Sequence, residues 1–125
     1  MNVVDSSAWL EYFAGTPAAK PFAPAIEDTR RLVVPAITIA EVFKRVLQQR
    51  DETAALRAIA VMQQGEVVPL DAALALAAAR LGLAHQLPLA DAQIHATALV
   101  RGATLWTQDE HFRGLPGVRY FEKAK

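Results

Sequence analysis

The chain has 125 residues, of which 53% are hydrophobic, and its 13 basic and 13 acidic side chains cancel. This length suits one domain that buries roughly two-thirds of its unfolded surface, and the balanced charge excludes a protein that attracts a polyanion by its overall field. The absence of cysteine excludes disulfides and thiolate metal sites. The N-terminus lacks the basic and apolar segments of a signal peptide, and no apolar run approaches the about 20 residues of a membrane span, so we expect a cytoplasmic protein without a membrane partner.

The first half of the chain opens on a short apolar strand, Met1–Val4, that ends abruptly at Asp5. Because ligands bind beyond the C-terminal ends of the strands in an open parallel sheet, an acid at this position is placed for chemistry. The alternative is that Asp5 or Ser6 caps the helix that begins near Ala8. The next predicted elements are helical turns over 18–29, a strand over 32–34, a helix from Thr38 with one apolar stripe, and a helix over 51–64.

The second half continues the alternation of strands and helices. Asp71 is the predicted N-cap of an alanine-rich helix that ends near His85, and Gly102 suits the end of a helix that begins at Asp91. Strands joined through helices imply right-handed crossovers and a parallel sheet. We therefore expect a single α/β domain over residues 1–125, with a five-stranded, mostly parallel sheet between helices. The remaining predicted elements are strands over 66–70, 103–106 and 118–121 and a short helix over 108–113.

Four acids that are far apart in sequence fall at related places on this frame. Because the strands of a parallel sheet end at the same edge, acids that follow them can share one crevice. Crowded carboxylates repel each other and raise one another's pKa unless a cation neutralises them. The four are Asp5 after the first strand, Glu41 in the first turn of the helix after the second, Asp91 at the start of a helix, and Asp109 after the fourth strand.

The acids also have purely structural interpretations. Thr38 and Glu41 have the spacing of a capping box, in which the acid reaches back to a backbone N–H. Thr107 and Glu110 have the same spacing, and Asp91 is well placed as an N-cap. The sequence leaves these alternatives open for each acid taken alone.

A cluster of Asp and Glu without cysteine favours a hard cation. Mg²⁺ and Mn²⁺ bind carboxylates, waters and phosphate oxygens, and either ion can activate water and stabilise charge on a phosphodiester. The acids therefore predict metal-assisted phosphodiester hydrolysis. Ser6, Ser7 and Thr107 are the predicted supporting groups, which orient carboxylates or donate to a phosphate.

Four stretches of the sequence carry a family resemblance that covers the whole chain. The sequence resembles PIN-domain ribonucleases and, within that superfamily, the VapC toxins of bacterial type II toxin–antitoxin modules. The stretches are 3–7 (Val-Val-Asp-Ser-Ser), 35–42 (Pro-Ala-Ile-Thr-Ile-Ala-Glu-Val), 87–92 (Leu-Pro-Leu-Ala-Asp-Ala) and 105–112 (Leu-Trp-Thr-Gln-Asp-Glu-His-Phe).

The resemblance implies an endoribonuclease that depends on Mg²⁺ or Mn²⁺ and acts as the toxin of such a module. It implies an RNA substrate, a homodimer and a VapB-like antitoxin as the protein partner. The alternative is a catalytically inactive PIN-like domain that acts only as a protein- or RNA-binding module. Asp5, Glu41, Asp91 and Asp109 match the acidic quartet of the family, Asp5 and Asp91 its usual metal ligands, and Thr107 the hydroxyl beside the last acid, with Ser6 as a further supporting group.

Two other α/β classes of similar length fit the sequence less well. A phosphoacceptor receiver domain needs an acidic pair after the first strand and a Lys after the last strands, whereas this chain has Asp5 followed by two serines. A haloacid-dehalogenase-like phosphatase needs a second acid two residues after the first, where this chain has Ser7.

The histidines and cations near the quartet leave several interpretations open. His95 departs from the resemblance, since relatives more often have a small residue there. It lies four positions after Asp91 and either pairs with that acid or is a solvated or core-edge histidine. His85 and His111 lack ligand-like spacing to each other. Lys44 and Arg45 share a helix face with Glu41 and either form ion pairs there or position phosphate.

Three aromatic residues early in the chain are candidates for a subunit interface. Trp9, Tyr12 and Phe13 lie at helical spacing after the first strand. Aromatic side chains are enriched at interfaces, but the same spacing suits packing within the monomer core.

Overall fold

Within residues 1–123, which the computed structural model describes, five strands form one sheet with every neighbouring pair parallel. The strand order is β3-β2-β1-β4-β5, so β1 lies in the centre. The expected five-stranded α/β sheet is therefore confirmed, and it is wholly parallel rather than mostly so. The strands are β1 (Asn2–Val4), β2 (Leu32–Pro35), β3 (Glu66–Val68), β4 (Thr104–Thr107) and β5 (Val118–Tyr120).

Six α-helices and three 3₁₀ helices connect the strands of the described chain. No single helix in residues 1–123 is long and apolar enough to cross a membrane, and only the bent pair Ala72–His85 and Leu89–Val100 meets that length and composition together. The α-helices are α1 (Ser6–Ala14), α2 (Ala23–Glu27), α3 (Ala36–Gln49), α4 (Glu52–Met62), α5 (Ala72–His85) and α6 (Leu89–Val100), and the 3₁₀ helices are Pro17–Phe22, Thr29–Arg31 and Glu110–Phe112.

The central strands are apolar throughout because both faces of the sheet are covered. Successive side chains of a strand point to opposite faces. Val3 and Val33 thus pack with residues of α5 and α6, and their neighbours Val4 and Val34 pack with residues of α1 to α4. All four valines are 0% exposed. This two-sided burial explains why the strands read as continuous hydrophobic runs rather than alternating ones.

Three helices begin two residues earlier than the sequence predicted. α1 begins directly after Asp5, and α3 and α6 begin directly after Pro35 and Pro88, which occupy the N-cap positions in extended conformations. These prolines have φ −60 and −54, close to the helical value that the pyrrolidine ring imposes. As a result Asp91 lies within the first turn of α6 and not at its cap.

Candidate active site

Asp5 and Thr107 are brought together because their strands are neighbours in the sheet. Val4 of β1 is in register with Trp106 of β4. The N–H of Asp5 continues this pairing by donating to the carbonyl of Trp106 at 3.1 Å. The Thr107 hydroxyl then donates to Asp5 Oδ2 at 2.9 Å.

The Asp5 carboxylate points into the site and does not cap α1, so the capping interpretation is wrong for this side chain. Ser7 Oγ also donates to Asp5 Oδ2, at 3.0 Å. The residue is only 3% exposed. Burial raises the pKa of Asp5 to about 6, against the two hydroxyl hydrogen bonds that lower it, and the charges of Asp109 and Asp91 add to the increase. A neighbouring cation would stabilise the charged form of a carboxylate that is buried in this way.

Thr107 connects Asp5 to Asp109. Its Oγ1 accepts from the N–H of Asp109 at 2.9 Å while donating to Asp5. Asp109 Oδ1 in turn accepts from the N–H of His111 at 2.9 Å and caps the 3₁₀ helix Glu110–Phe112. The capping box predicted for Thr107 and Glu110 is therefore wrong, because Asp109 supplies the cap.

Glu41 reaches the site from α3 through a hydrogen bond with α1. Ser6 Oγ donates to Glu41 Oε1 at 2.6 Å. Thr38 instead donates its hydroxyl proton to the carbonyl of Pro35 at 2.7 Å, so the capping box predicted for Thr38 and Glu41 is wrong. Burial raises the pKa of Glu41, the Ser6 bond opposes the increase, and the charge of Asp91 adds to it.

His111 is the residue that the sequence analysis missed. Its Nδ1 lies 2.9 Å from Asp91 Oδ2 and 3.4 Å from Asp109 Oδ1. Burial raises the pKa of Asp91, and the hydrogen bond from His111 opposes that increase. The spacing of His111 from the other histidines does not indicate this contact. Its short spacing from Asp109 does, because an Asp-capped turn brings the residue two positions later back toward the acid.

The four predicted acids therefore lie in one electrostatic neighbourhood. The charges of Asp91 and Asp109 both raise the pKa of Asp5, and Asp91 also raises that of Glu41. Within residues 1–123 no Lys or Arg forms an ion pair with any of the four. This donor set fits a divalent cation, because carboxylate oxygens that crowd and raise each other's pKa are stabilised by positive charge between them. Asp91, Asp109 and His111 offer ligand atoms that lie within 4.8 Å of one another.

The histidine and cations on the neighbouring helices lie elsewhere. His95 is 0% exposed, and its Nε2 donates to the carbonyl of Pro116 at 2.8 Å. The proposed pairing of His95 with Asp91 and its placement in solvent are both wrong. Lys44 and Arg45 are exposed on α3, and the ion pair with Glu41 that the sequence allowed does not form in the described residues.

Comparison with known proteins identifies the class to which this fold and site belong. The PIN domain family model matches residues 3–118, so the chain belongs to the PIN-domain family. None of the curated proteins matches the sequence.

Several solved structures share the fold over nearly the whole chain. A toxin–antitoxin complex from Klebsiella pneumoniae is 25% identical over 95% of this chain and 96% of that chain, with a TM-score of 0.81. A protein from Pyrobaculum aerophilum is 25% identical over 95% and 87%, with a TM-score of 0.73. VapC20 from Mycobacterium tuberculosis, a toxin described as cleaving the sarcin–ricin loop, is 20% identical over 94% and 97%, with a TM-score of 0.78. The resemblance to PIN-domain proteins and, among them, to VapC-like toxins is thus confirmed.

Proposed function

We propose that this chain is a divalent-metal-dependent endoribonuclease and the toxin of a type II toxin–antitoxin module. The observation that carries the proposal is the coupling of four acids from separate parts of the chain, with burial raising the pKa of Asp5 to about 6. A structural acid is usually paired or solvated. Keeping several of them half-buried together, without a Lys or Arg partner in residues 1–123, is costly unless a cation binds there.

The side chains have separate roles in this proposal. Asp5 and Asp91 would hold Mg²⁺ or Mn²⁺, and the bound ion would supply an activated water and stabilise charge on the phosphodiester. Glu41 and Asp109 complete the acidic site and orient the attacking water through their carboxylate oxygens. Thr107 and Ser6 position Asp5 and Glu41 through the hydroxyl bonds of 2.9 and 2.6 Å.

The RNA backbone must approach an anionic pocket, so cations have to lie beside it. Lys44 and Arg45 are exposed on α3, three and four positions beyond Glu41. Residues at this spacing lie on the same face of a helix, and the proposal gives both side chains the role of phosphate contacts. An open depression beside Asp109 is lined by Ser7, Gln108, Asp109, Glu110, His111 and Lys123.

A VapB-like antitoxin is the proposed protein partner. The Klebsiella relative is described as a toxin–antitoxin complex, and an anionic pocket accepts an inserted Arg or Lys that mimics the charge of the metal. Binding of the co-encoded partner should then weaken as Mg²⁺ or Mn²⁺ is raised. Calorimetric affinity that does not respond to saturating metal would show that the partner leaves the metal position free.

A homodimer is also proposed. Tyr12 and Phe13 are only partly buried and stay candidates for its interface, whereas Trp9 does not. Trp9 is 0% exposed and stacks on Phe13, so it belongs to the monomer core and not to an interface. An exposed apolar stripe along α5 is the better candidate, because its members recur at i, i+3, i+4, i+7 and i+11 on one face. The stripe consists of Ala72, Ala75, Leu76, Ala79 and Leu83.

Mapping of RNA ends in cells tests the proposed function. Brief expression of the wild-type chain should create new RNA ends at defined sites, and Asp5→Asn should create none while accumulating to the same level. Glu122→Gln, an exposed acid outside the quartet, is the matched control and should cleave like the wild type. Identical RNA ends in wild-type and Asp5→Asn cells would instead favour the inactive binding module.

A further inference from the structure

We propose that His111 is a metal ligand through Nδ1, which gives this acidic site a nitrogen donor and a preference for Mn²⁺ over Mg²⁺. The inference rests on the proposed function, because it concerns a metal site that shares the ligand Asp91. It differs from the quartet assignment, in which carboxylates supply the ligands and no histidine takes part.

The distances around Nδ1 fit a ligand set. Ligands about 2.1 Å from an ion with octahedral geometry are about 3.0 Å from their neighbours in the coordination sphere. His111 Nδ1 is 2.9 Å from Asp91 Oδ2 and 3.4 Å from Asp109 Oδ1. Asp91 comes from α6, and Asp109 and His111 come from the cap and the body of the 3₁₀ helix, so the three atoms converge on one position from two segments.

The backbone around His111 fixes the direction of the imidazole. Its N–H donates to Asp109 Oδ1 at 2.9 Å, and the next residue, Phe112, is 0% exposed in the core beneath the short helix. These two anchors hold the main chain on either side of the side chain. The imidazole therefore faces Asp91 although 57% of the side chain is exposed.

A nitrogen donor changes which ion the site prefers. Mg²⁺ binds oxygen ligands and retains its waters. Mn²⁺ also binds carboxylates but, as a first-row transition ion, it accepts a nitrogen ligand more readily than Mg²⁺ does. Removal of Nδ1 should therefore weaken Mn²⁺ binding more than Mg²⁺ binding. A loss of at least about tenfold in Mn²⁺ affinity is expected, since even the hydrogen-bonding partners of metal ligands contribute that much.

The competing explanation is that His111 is only a counter-ion. A protonated imidazole between Asp91 and Asp109 supplies positive charge and would have to leave when metal binds. The two explanations differ in sign, because removing a ligand weakens metal binding, while removing a competing cation strengthens it or leaves it unchanged.

The experiment combines Mn²⁺ calorimetry with pulsed electron paramagnetic resonance of the Mn²⁺-loaded chain. Wild type, His111→Gln, Asp91→Asn and the control His85→Gln are compared, His85 being an exposed histidine at the end of α5. Nitrogen modulation of the Mn²⁺ signal should appear in the wild type and His85→Gln and be absent in His111→Gln, with the affinity loss stated above.

The outcomes separate this inference from the proposed function. Nitrogen modulation that persists in His111→Gln, or Mn²⁺ affinity that stays equal or rises in this variant, would overturn the inference. The proposed metal site would still stand if Asp91→Asn loses Mn²⁺ binding. A wild-type chain that binds no Mn²⁺, or an Asp91→Asn chain that binds it equally well, would overturn both.

Discussion

At the level of single residues, burial of Asp5 makes the free energy of unfolding depend on pH. Burial raises its pKa from an ordinary value of 3.8 to about 6, so between these two values the folded chain binds more protons than the unfolded chain. The free energy of unfolding therefore falls as pH rises through this interval, by about 3 kcal/mol in the absence of metal. The contribution of Asp5 to stability is fully present below pH 3.8 and is lost above about pH 6.

Asp5→Asn should therefore stabilise the metal-free protein at neutral pH. An amide keeps an oxygen that accepts from Ser7 and Thr107 but carries no charge to desolvate. We expect the free energy of unfolding at pH 8 to rise by about 1–3 kcal/mol and the gain to disappear near pH 4. Chemical denaturation in EDTA between pH 4 and pH 8 measures the gain and its disappearance, with the exposed Glu122→Gln as the control. A variant that loses stability at pH 8 would show that Asp5 has a structural role.

The residues of the site differ in how well the sequence predicted them. The sequence placed Asp5 and Asp109 shortly after buried strands that neighbour each other in the sheet, although capping remained an alternative for Asp5. Whether Glu41 and Asp91 were caps or site residues could not be decided, since both uses need the same short polar side chain near a helix start. The contact of His111 with Asp91 joins residues 20 positions apart, and only the spacing of His111 from Asp109 was visible in the sequence.

At the level of elements, two acids cap α-helices away from the candidate site, whereas Asp109 both caps the 3₁₀ helix and lies in that site. Asp51 and Asp71 accept from backbone N–H groups at 2.7 and 2.8 Å and cap α4 and α5. Asp71 was predicted as a cap because it stands between a strand and a helix. The helices after Pro35 and Pro88 have no side-chain cap, which frees the acids that follow to face the site.

The hydrogen bond from Ser6 to Glu41 links α1 to α3. Ser6→Ala removes the donor to Glu41, so the pKa of Glu41 should rise further and the acidic limb of the rate–pH profile should move to higher pH. The unfolding free energy should fall by about 1 kcal/mol. The rate–pH profile of RNA cleavage and denaturation of the same sample measure the two effects.

Glu122→Gln is the control for this link. Glu122 is an exposed acid outside the quartet. We expect its rate–pH profile to match that of the wild type. Equal profiles for Ser6→Ala and the wild type would contradict the assigned role of the Ser6 bond.

At the scale of the whole molecule, the sequence predicted the sheet and its two covered faces better than the surfaces. Continuous apolar runs such as Val3-Val4 and Val33-Val34 have one physical explanation in a parallel sheet, which is burial on both sides. The composition of the alanine-rich helix α5 does not show which of its faces is buried. Ala and Leu suit a buried face and an interface equally, and only the structure shows that the stripe containing Leu76 and Leu83 is exposed.

The oligomeric state tests whether that stripe is an interface. Leu83 is 86% exposed in the monomer, so Leu83→Glu should leave the fold intact while placing charge on the stripe. We expect a wild-type dimer at tens of micromolar and a monomer for the variant, measured by light scattering. Leu56→Glu on α4, where the leucine is 55% exposed, should remain dimeric. A monomeric wild type, or a dimeric Leu83→Glu, would contradict the proposed interface.

The metal dependence of the proposed nuclease can be measured as cleavage of RNA by the purified chain, first stripped of metal and then supplied with Mg²⁺ or Mn²⁺. We predict no cleavage in excess EDTA, cleavage when either ion is restored, and a loss of at least about a hundredfold in Asp91→Asn at every metal concentration, since general acid–base and metal groups of this kind contribute about that much or more. Unchanged circular dichroism of Asp91→Asn shows that the loss is chemical. Cleavage that continues in EDTA, or that Asp91→Asn performs as fast as the wild type, would contradict the account.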